Sequence, residues 1–261
     1  MFKRLIISGL AVIGSVSFLG MAQAADLPVK SSPYIAPAPV WSWTGFYIGG
    51  HVGAGWGTTS ATLDGNSLSP PFPPGALGSI PLANNSSSGF LGGVQLGYNY
   101  QVSPLFVVGI EGDFSWADIN GDGPCNIGFF GPISLSCGGT ANWIGDITGR
   151  VGLAYDRLLL YVKGGWAWSD NDYNVSGNFF PVSLSGSASE TRNGGLLGFG
   201  IEYAFTQHWT AKIEYNYIDF GTDNIIVPVS ITTPGGSIGL SPSVAIDERI
   251  NLVKVGVNYK F

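Results

Sequence analysis

Eight segments of this chain alternate apolar and polar residues, yet no apolar run reaches the 18 or so residues that a membrane-spanning helix needs. The closing stretch, Asn251 to Phe261, shows the pattern most plainly. Val253, Val255, Val257, Tyr259 and Phe261 share one face, while Leu252, Lys254, Gly256, Asn258 and Lys260 share the other. Successive side chains of a strand point to opposite sides, so one face is oily and the other largely wet. One half-buried strand could do this alone. Repetition through the chain, ending on an aromatic residue, predicts an all-β fold: an eight-stranded antiparallel transmembrane β-barrel with short periplasmic turns and long extracellular loops.

Composition agrees. The chain is 45% hydrophobic and 11% charged, against roughly 25% charged in a typical soluble domain. Low charge without a spanning helix is a conflict that a barrel resolves, because its strands hide their hydrophobicity by alternation.

The first 24 residues read as a secretory signal. Lys3 and Arg4 precede an apolar core from Leu5 to Leu19, and Ala22-Gln23-Ala24 supplies small residues for cleavage before Ala25. The core is short for a retained anchor, and no Cys at the junction suggests a lipoprotein. Residues 25–42, with Pro28, Pro33, Pro37 and Pro39, read as an extended periplasmic linker, and 43–261 as the barrel. Removing the leader leaves 9 basic and 17 acidic residues, a net charge of −8, which argues against a nucleic-acid partner. Cys125 and Cys137 are the only two cysteines of an exported chain. They allow one disulfide, and a Cys-only metal site would lack ligands.

Taken in order, the strands turn these residues outward: Phe46, Ile48, Val52 and Trp56; Phe90, Val94, Leu96 and Tyr100; Phe106, Val108, Ile110, Phe114 and Trp116; Trp143, Ile147, Val151 and Tyr155; Leu160, Val162, Trp166 and Trp168; Leu197, Phe199, Ile201, Tyr203 and Phe205; Trp209, Ile213, Tyr215 and Tyr217. Tight turns are expected at Val102-Ser103-Pro104, Asp156-Arg157 and Gln207-His208. Loops of 31, 24, 21 and 28 residues are expected at 58–88, 118–141, 170–190 and 220–247. Long and short connections thus alternate, which puts both termini in the periplasm. Phe46, Tyr100, Phe106, Tyr155, Phe205 and Trp209 gather at the turn ends, and Trp56, Trp116, Trp143, Trp166 and Trp168 at the loop ends, as two interfacial girdles.

A soluble eight-stranded barrel would reverse the assignment, with apolar residues inside. The girdles, the scarce charge and the terminal Phe261 favour the membrane sense. Charges of both signs then converge on the lumen: Glu111, Asp113, Asp146, Glu202 and Glu214 with Arg150, Lys163, Arg192, Lys212 and Lys254. On the lipid face each Lys or Arg would cost roughly 2–4 kcal/mol at midplane, whereas in a narrow lumen they pair.

With these segments placed, Ala25-Asp26-Leu27-Pro28-Val29-Lys30, Trp43-Thr44-Gly45-Phe46-Tyr47-Ile48-Gly49-Gly50, Leu160-Tyr161-Val162-Lys163-Gly164-Gly165-Trp166-Ala167 and Val255-Gly256-Val257-Asn258-Tyr259-Lys260-Phe261 carry a resemblance. The chain resembles alpha-proteobacterial outer-membrane β-barrel proteins of the immunogenic or porin family, related to the OmpA-type membrane domain, over essentially the whole mature length. The resemblance implies a cell outer-membrane location, a structural and surface-antigen role in the envelope and, in some members, haemin binding. From their length the loops are expected to meet extracellular ligands, with outer-membrane lipid around the wall and Val257, Tyr259 and Phe261 of the closing strand as the signal for the barrel-assembly machinery.

Catalytic signals are weak. Gly235-Gly236-Ser237-Ile238-Gly239 matches a nucleophile-elbow pattern but lies in a loop without a helical continuation. His51, in the lumen, and His208, in a turn, cannot form a metal pair, so neither an enzyme nor a cofactor or metal site is expected. The lumen admits two readings: a closed plug, favoured because eight-stranded barrels are just wide enough for side chains, and a small gated pore for water, ions or solutes. Inward glycines (Gly49, Gly53, Gly55, Gly97, Gly109, Gly165, Gly198 and Gly200) are expected to leave some room for water.

Overall fold

A computed structural model describes residues 41–68, 73, 78–125 and 135–261. The expected leader and almost all of the expected linker lie outside these residues, as does the centre of the cysteine-bearing segment. Among the described residues the strands are β1 (Gly45–Asp64), β2 (Ser79–Gln101), β3 (Phe106–Cys125), β4 (Leu135–Tyr155), β5 (Leu158–Phe179), β6 (Val182–Ala204), β7 (Trp209–Ile226), β8 (Val229–Thr233), β9 (Gly236–Leu240) and β10 (Ser243–Lys260). The sheet runs β5-β4-β3-β2-β1-β10-β7-β6, and a β5–β6 pairing closes the ring. All neighbours are antiparallel, so eight strands form the expected barrel. The hairpin β8–β9 hangs on β6 outside the ring.

Closure joins the ends of the chain. Tyr47 pairs with Lys260 and Leu63 with Val244, bringing β10 against β1 along almost its full length. The three tight turns fall where expected, at 102–105, 156–157 and 205–208. In the middle one Asp156 takes a positive φ of 52°, the left-handed region that Asp tolerates better than most residues.

The long loops require correction. Segment 58–88 is strand up to Asp64 and again from Ser79, and 118–141 is strand up to Cys125 and again from Leu135. Segment 170–190 is a continuous hairpin turning at Phe180-Pro181, and 220–247 contains the ends of β7 and β10 with the β8–β9 hairpin. The wall therefore continues well past the tryptophan girdle.

Beyond the girdle the polarity of the wall inverts. On β3, exposed Ile110, Phe114 and Trp116 give way to exposed Asp118, Asn120 and Asp122, while on the inner face buried Glu111, Asp113 and Ser115 give way to Ile119. On β10 the exposed Val255 and Val257 are followed, towards the same end, by the exposed Arg249. Inside, Lys254 and Asn258 are followed by Leu252, Ile250, Ile246 and Val244. Lipid rewards apolar residues outside the barrel and water rewards them inside. Both orientations weighed from the sequence are therefore present, stacked in one barrel. Register shifts at Trp116/Ile119, Ala141/Trp143 and Asp247/Arg249 lie near the boundary, as bulges at barrel rims commonly do.

The inversion gives an expected outcome on one strand. Ile110→Lys should lower the unfolding free energy by roughly 2–4 kcal/mol and impair insertion into vesicles. Asn120→Lys, equally outward but past the girdle, should change neither by more than about 0.5 kcal/mol. Equal damage at the two positions would refute a boundary between them.

Candidate functional site

The lumen is filled in layers. At the turn end, Trp41 and Trp43 pack with Val107, Ala154, Leu159, Tyr161 and Ala204. The two indoles meet edge to face with centroids 5.5 Å apart, and Trp43 Nε1 donates to the carbonyl of Asp156 at 3.1 Å. Lys260 Nζ lies 4.8 Å from the Trp41 ring centroid. The sequence places Trp41 in the linker; the structure buries it under the barrel. The proline-rich composition just before it conceals this, because no alternating pattern leads up to Trp41.

Above this layer lies the ion network, centred on Glu111. Its carboxylate receives Tyr47 Oη at 2.8 Å, Lys163 Nζ at 3.2 Å and Lys212 Nζ at 3.1 Å, with Arg150 Nη1 at 3.5 Å. Arg150 also reaches Glu202 at 3.3 Å and donates from Nε to Asn99 at 2.8 Å. Lys163 continues to Glu214 at 2.7 Å, and Lys212 meets the same carboxylate at 3.3 Å. Lys254 bonds Asp113 at 3.0 Å and stands 3.7 Å from Asp146, which lies 3.9 Å from Lys163. Nine of the ten residues expected in one network thus form it. Every side chain in it is essentially shut off from solvent.

Arg192, expected in this network, is the exception. It sits in a separate polar layer nearer the other end, 3.4 Å from Glu248 and 3.4 Å from Asp223, with its guanidinium donating to the carbonyl of Ile246 at 2.9 Å. Glu248 also accepts from Asn171 at 2.9 Å and Tyr173 at 3.0 Å. Thr59, its partner on β1, is three residues past the girdle residue Trp56, so this layer stands outside the bilayer. Burial pushes the Glu248 carboxyl above its ordinary value, opposed by the Arg192 charge and the Tyr173 hydrogen bond. Glu248 was not singled out in the sequence, because it falls between the expected loop 220–247 and the closing stretch from Asn251.

Between the two polar layers lies an apolar one: Leu91, Ile119, Ala141, Ile144, Ala167, Leu196, Ile218, Phe220, Ile250 and Leu252. The charge network is therefore capped by apolar side chains on both sides. Nor do the inward glycines open a path. Tyr47 opposes Gly97 and Tyr161 opposes Gly200 across the sheet, and a Cβ at either glycine would overlap the tyrosine that lies over it. The space a glycine gives up is taken by a neighbour's ring, a cross-strand device also used to hold register.

The remaining candidates separate. His51 is buried in the lumen, with Nε2 2.8 Å from Ser115 Oγ and Nδ1 3.0 Å from Gln95 and 3.4 Å from Asp113. His208 is exposed in its turn and stacks on Tyr259 at 5.6 Å. Ser237 lies on the exposed β8–β9 hairpin, its hydroxyl 3.2 Å from that of Thr232, a strand-turn-strand setting unlike an elbow. Cys125 and Cys137 are joined by a disulfide, their Cα atoms 5.6 Å apart. Among the described residues no group of three or more His, Cys, Asp or Glu is arranged to hold a metal ion.

Glu111 is the acceptor shared by three cations, so its removal leaves buried positive charge uncompensated. Glu111→Ala should destabilise the barrel by roughly 3–5 kcal/mol in denaturant titration. Neither wild type nor variant should give conductance steps in planar bilayers, because both apolar layers persist. Steps from the folded wild type would show that the lumen is open.

The barrel has counterparts among known proteins. The family model described as outer membrane protein beta-barrel domain matches residues 10–261. The 31 kDa outer-membrane immunogenic protein of Brucella melitensis is 31% identical, over 99% of this chain and 100% of its own. The 22 kDa outer membrane protein of Rhizobium leguminosarum is 31% identical, over 91% of this chain and 83% of its own. Among solved structures, the outer membrane protease OmpT of Escherichia coli superposes with a TM-score of 0.51 at 8% identity, covering 86% of this chain and 99% of that one, a likeness of fold alone. Sequence, closed sheet and lipid-facing belt converge: the chain belongs to the outer membrane beta-barrel domain family, and it is an integral outer-membrane protein.

Proposed function

We propose that this protein is a closed structural barrel of the cell envelope that presents its long hairpins on the outer surface and keeps both termini in the periplasm. The observation that carries the closed barrel is the pair of apolar layers enclosing the ion network. A conducting lumen needs a continuous wet path, and here charges are confined between oily seals. Support for the orientation comes from the asymmetry of the ends. Three tight turns lie at the end where the chain enters and leaves, and extended hairpins lie at the other. Relatives of similar length are named immunogenic outer-membrane proteins, which fits a chain whose outer half offers polar strand surface to the surroundings.

Assembly follows from the same reading. The exposed Val257 and Phe261, with Tyr259 between them, form an aromatic-ended strip on the closing strand, and Phe261 N donates to Phe46 O at 3.0 Å. The barrel-assembly machinery would engage this strip before β10 closes on β1. Partners of the outer half are extracellular ligands, and the outer wall of the other half meets lipid. The turn of Gly235 to Gly239 has no catalytic role.

Single cysteines introduced in a Cys125→Ser, Cys137→Ser background test the orientation. On intact cells a membrane-impermeant maleimide should label Pro181→Cys at the β5–β6 tip and leave Arg157→Cys at the opposite turn unlabelled. The converse pattern would invert the topology.

A further inference from the structure

The extramembrane half of the barrel contains a cavity of about 230 Å³. Strands contribute to its wall from all around the ring: Leu63 from β1, Leu82 from β2, Leu135 from β4, Tyr173 from β5, Leu184 from β6 and Val244 from β10. The lining is predominantly apolar. Packed interiors leave few voids larger than a water molecule, and an apolar cavity of about 150 Å³ already holds benzene. This one is larger, and it lies where the wall faces water, so apolar residues turned inward are not explained by contact with lipid.

Little of its surface is polar, although Thr59, Asn85, Thr140 and Asn174 also reach it. Asn171 and Glu248 also line the cavity, beside the polar layer of Arg192. Among the described residues the donors from Asn171, Tyr173 and Arg192 all fall on Oε2 of Glu248. Oε1 of the same carboxylate is the acceptor left for a further donor. A few polar groups in an apolar chamber are the usual make-up of a small-molecule site, the walls supplying affinity and the polar groups orientation.

We propose that this chamber binds a slender apolar molecule bearing a neutral, hydrogen-bond-donating head, such as a medium-chain alcohol, with its chain along Leu63 and Val244 and its hydroxyl donating to Glu248. A carboxylate head is disfavoured, since it would bring a second negative charge to Glu248. The chamber is separated from the midplane ion network by the Ile119, Ile250 and Leu252 layer, so occupancy opens no path through the membrane.

Equilibrium dialysis of labelled decanol against the barrel in lipid nanodiscs, at mildly alkaline pH with empty nanodiscs as blank, tests the site. Wild type should show one saturable site above the blank, and decanoate should bind at least about tenfold more weakly. Leu63→Trp and Val244→Trp, each of which fills the chamber, should cut decanol binding at least about tenfold while the barrel stays folded by heat-modifiable migration. Glu248→Gln removes the repelling charge and should narrow the gap between alcohol and acid. No excess over the blank with wild type, or equal binding by wild type and the filled barrels, would overturn the site. Decanoate binding as tightly as decanol would overturn the role of Glu248. Saturation and the head-group ratio are read on wild type, so they decide the matter even if a filled barrel fails to fold.

Discussion

A bilayer offers no partner for a charge or an unpaired peptide group, and the fold follows from that one constraint. Closing β1 on β10 removes the sheet edge, so every wall strand finds two neighbours. Apolar side chains then take the lipid side because charges there cost several kcal/mol each. At membrane level nine inward charged side chains must be neutralised within a cylinder barely wider than themselves. The Glu111, Lys163, Lys212 and Glu214 cluster does so through contacts of 2.7 to 3.3 Å. Such a network is weak evidence for stability, since desolvation offsets much of its attraction. Its consequence is specificity: a one-residue slip of any strand that carries one of these charges would turn it to lipid.

The interior alternates as the wall does. Apolar residues around Trp43 close the turn end, the ion network occupies the membrane level, and a second apolar layer is followed by the Arg192 and Glu248 pair and then by the chamber. Where water replaces lipid outside the barrel, the interior becomes oily. Below the girdle the molecule is a membrane barrel, and above it the same strands make a soluble one. The described part of the outer half therefore holds its own core, including Leu63, Ile225, Val244 and Ile246, and is built of paired strands rather than free loops.

How much of this was legible follows from the same physics. The membrane half could be read because lipid imposes an uninterrupted apolar face, as along Phe106, Val108 and Ile110, and because Trp56 and Trp116 mark where it ends. The outer half could not, because an outward Ser, Asn or Asp on a strand in water looks like the same residue in a loop. Segment 79–88 is strand for that reason despite its run of Ser and Asn. The separation of Arg192 from the midplane charges depends on strand shear, which no single segment carries. The tyrosine rings lying over Gly97 and Gly200 depend on which residues face each other across the sheet, so the glycines looked like vacancies. Trp41 was hidden by its neighbours: four prolines precede it, so no period leads up to it.

Scanning β3 with a nitroxide from residue 106 to residue 124, and comparing collision rates with oxygen and with a water-soluble nickel chelate, tests the polarity inversion most directly. Outward positions should favour oxygen through Trp116 and the nickel chelate from Asp118 onward, with inward positions shielded from both. Oxygen-favouring accessibility continuing through Asn120 and Asp122, or appearing at the inward positions, would contradict the account.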